Sequence, residues 1–319
     1  MTWQIAVTQP SVLGESPFWH PDEQRLYWID IPARQICRSA ASSGQTCSGQ
    51  VEKWTMPSEP GCIAPARTGG ADGVASGLVI ALRDGIYRAR DWGGALTLLA
   101  PALHDPATTR FNDGKADPLG RFWAGTIYEP RDAAKAELYV LDARSGGALA
   151  LQPKAGGAVT GNGLAWSPGA DTLYWSDTPA HTLRAWDWDA QSNRLTRERV
   201  LRQWPGKPPG WQSHPSGQSG YGGRPDGAAV DSEGNYHVAM FEGARLLKLS
   251  PQGDVLAETA VPAQCPTMPC FGGPDLRTLY LTSARHARPA QELQRWPDAG
   301  CIFSRRVDVP GLPVNFFLD

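Results

Sequence analysis

The sequence predicts an all-β protein built from six repeats, and three observations lead to this fold class. First, one unit recurs along the chain, in which turn residues precede an apolar strand carrying an aromatic side chain, and a polar turn leads to a further strand. Second, successive copies lie 52, 43, 52, 63 and 43 residues apart, measured between these markers: Trp28, Ile80, Trp123, Trp175, Val238 and Leu281. Third, long helical patterns with caps are absent from the sequence. A period of roughly 40–50 residues with several short strands per unit is typical of a β-propeller, so we expect six blades.

The elements can be justified in order along the chain. An apolar run at residues 3–7 precedes the first full repeat. Each copy of the unit then opens with Pro, Asp or Gly, which favour turns, and continues with residues that favour strands. The copies, of which the second is the weakest, are residues 21–30, 77–82, 117–125, 168–177, 231–239 and 274–282. Follow-on strands such as residues 137–141 and 244–249 alternate as sheets packed face to face do. We expect a late run at residues 314–317 to pair with residues 3–7 in one blade and so close the ring.

We expect the repeats to form a single domain over residues 1–319. The alternative is a two-sheet sandwich or two small β domains, but such folds seldom repeat one turn–strand signature six times. The longest interval carries an insertion at residues 203–224 that is rich in Gly, Pro and Ser. Loops of this length inside a compact domain are usually functional or mobile. Because the insertion directly precedes Asp226, we expect it to form part of the rim of the site.

Composition excludes several classes of function. Charged residues make up 19% of the chain and the net charge is -2, so no basic field for nucleic acid or anionic lipid is visible. No apolar run approaches the roughly 20 residues of a membrane helix, and the first residues lack the pattern of a secretory signal. We therefore expect a cytoplasmic protein, with the oligomeric state left open. The cysteines show no zinc-type spacing and are expected to be free thiols: Cys37, Cys47, Cys62, Cys265, Cys270 and Cys301.

Oxygen-bearing side chains precede strands in different repeats and predict one site on the axis. Glu15, Asn162 and Asp226 together offer two carboxylates and one amide carbonyl. This set suits Ca²⁺, Mg²⁺ or Mn²⁺ better than structural zinc, and three protein ligands leave positions for water and substrate. Taken singly, each residue has a structural explanation, because Asn-Gly and Asp-Gly are ordinary turn dipeptides. The combination in separate repeats is what favours a site.

Arg110 and Asn112 are candidates for binding a polyol-like substrate. Two residues apart in an extended segment, their side chains point to the same face. In the alternative interpretation Arg110 pairs with a nearby carboxylate and Asn112 caps the turn before Asp113. The tryptophans are expected in the blade core rather than on a sugar-stacking platform. The sequence contains no nucleophile elbow, phosphate-binding glycine loop or His-Glu-x-x-His helix.

These motifs resemble those of the regucalcin (senescence marker protein) and gluconolactonase family. The matching segments follow one another in order over nearly the whole chain: residues 14–19, 30–33, 110–115, 125–126, 161–165, 176–178, 225–227, 300–303 and 311–313. The resemblance implies a six-bladed β-propeller with a central metal site. The expected cofactor is one divalent cation, drawn from calcium, magnesium, manganese, zinc and iron.

The resemblance also implies roles for individual residues. Carried over by motif, Glu15, Asn162 and Asp226 are the metal ligands, and Asp226 is also the catalytic acid/base. The implied reaction is metal-dependent hydrolysis of a sugar lactone to the aldonic acid, with the water deprotonated by Asp226 or by contact with the metal. Two alternatives remain open, a non-catalytic calcium-binding regulatory propeller and a metal-dependent hydrolase of organophosphates or aryl esters.

Arg110 and Asn112 are then the substrate-binding residues. The family often adds an acidic residue shortly after the Gly-Thr pair, and Glu129 is the candidate here, although the expected slot holds Pro130. The insertion at residues 203–224 departs from shorter members of the family, which leaves the size of the sugar and the selectivity of the site open.

Overall fold

Turn residues divide the chain into short strands that assemble into antiparallel sheets. The computed structural model describes residues 2–40, 50–212 and 220–319. These residues form six sheets, five with four strands and one with five. The predicted fold class, an all-β six-bladed propeller, is therefore confirmed. Each of the six marker positions lies on the second strand of its blade, counted in chain order, which explains why they recur along the sequence.

The strands are numbered in chain order, beginning with β1 at Gln4–Val7. The first two blades comprise β2 Gly14–His20, β3 Arg25–Asp30, β4 Gln35–Ala40 and β5 Glu52–Thr55, then β6 Cys62–Thr68, β7 Val74–Leu82, β8 Gly85–Ala89 and β9 Thr97–Pro101. The next two comprise β10 Thr109–Ala116, β11 Phe122–Tyr128, β12 Ala136–Leu141 and β13 Gln152–Ala158, then β14 Gly161–Trp166, β15 Thr172–Asp177, β16 Thr182–Asp189 and β17 Arg194–Gln203. The last two comprise β18 Arg224–Val230, β19 Tyr236–Phe241, β20 Arg245–Leu249 and β21 Val255–Ala260, then β22 Pro266–Gly272, β23 Thr278–Ser283 and β24 Ile302–Arg306 with β1. In the described chain a single short helix, α1 Ala290–Arg295, lies between β23 and β24, and β25 Phe317–Leu318 follows.

The ring closes by pairing strands from distant parts of the chain. Strand β1 is the outermost strand of the sixth blade and pairs with β24, placing Ile5 opposite Phe303. The closing role predicted for residues 3–7 agrees with this pairing, but the predicted partner, residues 314–317, was wrong. Strand β25 instead runs parallel to β6 in the second blade, with Phe317 opposite Ala66. Phe317 is fully buried there, so the burial of this ring determines where the last strand lies.

The first strand of each blade lies nearest the axis. These strands contact one another around the ring: β2 with β6 and β22, β10 with β6 and β14, and β18 with β14 and β22. Because every blade has the same strand order, the six inner strands begin at one end of the axis and finish at the other. We call the end with Glu15 and Asp226 the upper face. The end with Trp19 and Phe271 is the lower face.

Aromatic side chains fill the interior of the blades. Trp28, Trp123 and Trp175 are among the largest fully buried side chains, which confirms their expected place in the core. The five described cysteines are free and buried, as expected, while Cys47 lies outside the described residues. The helix in the described part of the chain is neither long nor apolar enough to cross a membrane.

Candidate active site

Irregular backbone at the start of the inner strands positions the candidate residues. The pairing of the first two strands shifts register immediately after Glu15, after Asn162 and around Asp226. Such bulges bend a strand and redirect its side chains. At the second of them Gly163 has φ 61°, and a Cβ there would lie 2.2 Å from the hydroxyl oxygen of Tyr236. The Asn162-Gly163 pair therefore forms a bulge inside a strand, where only glycine fits.

Asn162 and Asp226 are joined by a hydrogen bond. The amide nitrogen Nδ2 of Asn162 donates to Asp226 Oδ1 at 2.7 Å and to Thr178 Oγ1 at 2.8 Å. Thr178 in turn donates to the carbonyl oxygen of Pro225 at 2.8 Å. Asn162 and Asp226 are both buried. The fourth blade thus fixes the orientation of a carboxylate that belongs to the fifth.

Three carboxyl groups share this part of the axis: Glu15, Asp113 and Asp226. Burial, followed by repulsion from Asp226 and Asp113, raises the pKa of Glu15 well above its usual value. Glu15 keeps a partly exposed surface, but protein surrounds its carboxyl group closely enough for the loss of solvation to dominate. Burial, followed by repulsion from Asp113, likewise raises the pKa of Asp226. Protonation of both groups is favoured because burial removes the water that would solvate their charged forms, and because neighbouring carboxylates repel them.

Asp113 is the member of this group that the sequence did not single out. Its Oδ2 accepts a hydrogen bond from the backbone N–H of Leu164 at 2.8 Å, while its Oδ1 is buried without a hydrogen-bond partner among the described residues. Burial raises the pKa of Asp113, and Lys115 opposes that effect. The Lys115 ammonium group donates a hydrogen bond to the carbonyl oxygen of Ala228.

The donor set fits a hard divalent cation. Two carboxylates with raised pKa values, an amide and the unpartnered oxygen of Asp113 concentrate negative charge and oxygen donors in one place. Asn162 points its amide nitrogen at Asp226. A half-turn of the amide group would place its oxygen there instead, which is the atom that could bind a cation. Within the described ranges, no three His, Cys, Asp or Glu side chains are arranged as a metal cluster. The candidate ligand set therefore depends on the amide of Asn162.

Arg110 and Asn112 lie together beside this group. Arg110 Nη1 donates to Asn112 Oδ1 at 3.1 Å. Asn112 Nδ2 donates to Asn162 Oδ1 at 2.8 Å and to the carbonyl oxygen of Gly161 at 3.0 Å. Because both acceptors of Asn112 Nδ2 belong to the next blade, the turn-cap interpretation of this residue does not describe its contacts.

Glu129 lies at the edge of the site and forms ion pairs with Arg83 and Arg110. Its carboxylate oxygens are 2.9 and 3.1 Å from the guanidinium nitrogens of Arg83. Its Oε1 is 3.5 Å from Arg110 Nε, so the predicted pairing of Arg110 with a carboxylate also occurs. Arg83 additionally pairs with Glu59 at 3.1 Å. Glu129 thus orients Arg110.

The six residues predicted from the sequence lie in one part of the structure, but the sequence did not point to several of their neighbours. The six are Glu15, Arg110, Asn112, Glu129, Asn162 and Asp226. Asp113 and Thr178 lie within two of the segments that resemble the family, residues 110–115 and 176–178, but neither is among the predicted site residues. The bond from Thr178 to the strand of Asp226 has no signature in the sequence. Arg83 likewise carries no local signal, since only the ring of blades brings it to Glu129.

A separate cavity of about 280 Å³ opens at the lower face. It is largely apolar and its walls include Trp19, Trp166, Phe271 and Val314. Lys115 also lines it, so this side chain lies between the cavity and the carboxyl groups.

Comparison with known proteins gives a consistent result. Residues 13–285 match the family described as SMP-30/Gluconolactonase/LRE-like region. The chain is 43% identical over 316 residues to a 6-deoxy-6-sulfogluconolactonase of Pseudomonas putida, covering 99% of this chain and 98% of that protein. It is 32% identical to the regucalcin of Danio rerio, covering 97% and 96%. A regucalcin from Agrobacterium tumefaciens, described as a calcium-binding protein, superimposes with a TM-score of 0.84 at 24% identity, covering 99% and 97%, which supports the fold.

Proposed function

The chain belongs to the SMP-30/gluconolactonase/LRE-like family, and we propose that it hydrolyses a sugar lactone to the corresponding aldonic acid with the help of one divalent cation. One observation carries the proposal: Glu15, Asn162 and Asp226 converge at the upper face beside Arg110 and Asn112. Hard oxygen donors next to a guanidinium and an amide suit a substrate with both a carbonyl group and hydroxyl groups.

The cation would be held by Glu15, Asn162 and Asp226. When bound, a divalent ion supplies Lewis acidity towards the lactone carbonyl. Asp113 would contribute negative charge, because its repulsion already raises the pKa of both carboxylates. Calcium, magnesium, manganese, zinc and iron are the ions to compare.

Asp226 is the proposed acid/base. Its carboxylate would take a proton from the attacking water and return it to the ring oxygen as the ester bond breaks. A bound cation would lower the pKa of Asp226 and offset the rise that burial produces, so the position of this carboxylate among the proposed ligands is what supports the role. Before an ion binds, the hydrogen bond from Asn162 Nδ2 to Asp226 Oδ1 orders this carboxylate, and on binding Asn162 would turn its oxygen towards the ion instead. Arg110 and Asn112 would orient the sugar, with Glu129 fixing the guanidinium group.

The substrate panel should include both neutral and charged lactones. The relative from Pseudomonas putida is named for a gluconolactone with a sulfonate at C6. We therefore propose this lactone as a candidate substrate, to be tested beside unsubstituted aldonolactones.

The decisive experiment is a lactone panel assayed after chelation and after adding back single metal ions. We expect saturable hydrolysis that chelation abolishes and that one or more divalent ions restore. Cation binding without turnover of any lactone would instead indicate a regulatory calcium-binding propeller. Preferred turnover of phosphotriesters or aryl esters would identify the other hydrolase class.

Substituting Asp226→Asn tests the role of the acid/base. This change keeps the shape of the side chain but removes its charge, so we expect kcat/KM to fall by about 10²- to 10⁴-fold. Asp231→Asn is the matched control, because Asp231 is also a buried aspartate and lies just beyond the lower-face end of the same strand. The control should retain its activity per folded molecule. Full activity in the Asp226→Asn protein would show that the site has been misplaced.

A further inference from the structure

A cluster of three cations lies on the upper face beside Asp226. Lys207 Nζ and Arg288 Nη1 lie 2.8 and 3.0 Å from Oε1 of the buried Glu242, and Arg224 Nη2 lies 3.4 Å from its Oε2. These groups come from the loop after the fourth blade, from β18, from the turn between β19 and β20, and from the segment after β23. All of these segments belong to the same end of the axis as the candidate active site. We call Lys207, Arg224, Arg288 and Glu242 the basic wall.

The basic wall carries more positive than negative charge. Arg288 is largely neutralised, since it makes two further 2.7 Å bonds to Glu292. Lys207 and Arg224 therefore share the single carboxylate of Glu242. The 3.4 Å separation of Arg224 from Glu242 is long for such a pair, and its buried Nε has no hydrogen-bond partner in the described part of the chain. One unit of positive charge and several donors remain available.

Arg224 is the cation of this wall that lies nearest the reaction centre. It precedes Asp226 by two residues on β18, which corresponds to about 6–7 Å along a strand. Its charge also opposes the rise in the pKa of Asp226 that burial and Asp113 produce. A sugar ring spans a comparable distance, so a group attached to the far end of a bound lactone can reach Arg224.

The opposite wall of the site has no such excess. Arg83 and Arg110 face Glu59 and Glu129, so two cations meet two carboxylates. This wall therefore suits the uncharged hydroxyl groups of a sugar. The asymmetry gives the upper face one neutral and one positive wall.

The insertion at residues 203–224 contributes Lys207 to the basic wall. Lys207 lies in the described part of this loop, with its ammonium group 4.8 Å from the ring centroid of Trp211. Trp211 packs against Tyr221, and the Tyr221 hydroxyl group is 2.6 Å from His181 Nε2. Aromatic packing thus holds both ends of the insertion against the fourth blade and brings Lys207 to Glu242.

We propose that Arg224, assisted by Lys207, binds a tetrahedral oxyanion, a sulfonate or a phosphate, at the exocyclic end of the lactone. This inference rests on the proposed lactonase function and gives its site a substrate class, the sugar lactones with an acidic substituent. Guanidinium and ammonium groups bind such oxyanions through charge-assisted hydrogen bonds. The metal ligands and Asp226 would then act at the lactone carbonyl, while the basic wall fixes the other end of the sugar.

The test compares three glucono-1,5-lactones that differ at C6: unsubstituted, 6-phospho and 6-deoxy-6-sulfo. We expect the wild-type protein to favour the charged lactones. Arg224→Met should lower kcat/KM for the charged lactones by about 10- to 100-fold more than for the unsubstituted lactone. Lys207→Met, which removes a more exposed side chain, should act in the same direction and more weakly. The ratio between the two charged lactones shows which oxyanion the wall prefers.

Arg25→Met is the matched control for loss of one surface cation. Arg25 pairs with Glu52 and has an exposure close to that of Lys207, but it begins β3 at the lower face. It should leave all three lactones unchanged. Equal losses on charged and unsubstituted lactones, or no wild-type preference for charge, would overturn the inference and leave the basic wall as a structural ion-pair network.

A second measurement separates this inference from the proposed function. The acid product, 6-deoxy-6-sulfogluconate, should raise the melting temperature of the wild-type protein and raise it less in Arg224→Met. If no lactone is hydrolysed, the proposed function fails, but this shift still tests the basic wall. If lactones are hydrolysed and the product stabilises both proteins equally, only the basic wall is wrong.

Discussion

Asn112 connects the two parts of the candidate site at the scale of single residues. Its amide nitrogen donates to Asn162, a proposed metal ligand, and its amide oxygen accepts from Arg110, a proposed substrate group. The sequence predicts Arg110, Asn112 and Asn162 as site residues because they belong to motifs at the start of inner strands. It could not predict the link between them, since Asn112 and Asn162 lie fifty positions apart and meet only when two blades pack side by side.

The link can be tested by removing the Asn112 amide. Asn112→Ala should lower kcat/KM on the best lactone by about 1–3 kcal/mol in transition-state free energy, because buried polar partners lose a hydrogen bond. Arg110→Lys should also be costly, since an ammonium group lacks the two-pronged geometry of guanidinium. Both proteins should still bind the divalent cation, because neither residue is a proposed ligand, although Asn112→Ala removes the hydrogen bond to the proposed ligand Asn162.

Kinetics, metal content and melting temperature should be measured on the same preparations. Asn315→Ala serves as the control, because this partly buried asparagine donates to the carbonyl oxygen of Ala116, at the lower-face end of β10 and away from Arg110 and Asn112. If the variants lose thermal stability while their efficiency per folded molecule stays unchanged, Arg110 and Asn112 have a structural role and the substrate pocket lies elsewhere.

The repeated turn between the first two strands of a blade is the element that made the fold predictable. In the fifth blade Asp231 begins this turn and accepts hydrogen bonds from the backbone N–H groups of Glu233 and Asn235. In the third blade Asp117 does the same for Leu119 and Arg121. Each copy fixes the register of the strand that follows, so the spacing of the turns in sequence predicts the number of blades.

The buried carboxylate of Asp231 should make stability depend on pH. Burial alone would raise its pKa, but hydrogen bonds from His237 and Asn235 outweigh burial and lower it. A lowered pKa contributes stability above the ordinary value of about 4, and that stability is lost as the pH falls below it. We expect Asp231→Asn to be less stable by about 1–3 kcal/mol at neutral pH, with the difference shrinking on acidification.

Urea unfolding at a series of pH values measures this difference. Asp187→Asn is the control. Asp187 on β16 pairs with Arg197 and Arg199 on the exposed outer strand β17, so its replacement should change the stability little. A difference for Asp231→Asn that stays constant from neutral to acidic pH would contradict the assigned ionisation.

At the scale of the whole molecule, the six inner strands bring distant polar residues to one axis. The number of blades and the upper-face site follow from the spacing of turns and motifs. The place of the last strand does not, because a short apolar run has several possible partners and the burial of Phe317 decides between them. The basic wall is also invisible in the sequence, since its residues come from separate loops and meet only in the closed ring.

Lys115 offers a test of how the axis is balanced electrostatically. It lies between the lower cavity and the upper carboxyl groups, and its charge acts on Asp113 and Glu15. Lys115→Met removes this positive charge, so without added metal the protein should lose about 1–3 kcal/mol of stability. A divalent cation should then restore more stability in the variant than in the wild type, because it binds a more negative site.

Lys154→Met is the control, since Lys154 also donates to a backbone carbonyl group, that of Asn193. Thermal unfolding with chelator and with each metal measures the increments. Equal increments in the wild-type and Lys115→Met proteins would show that Lys115 does not compensate the carboxylates and that the cation binds away from the axis.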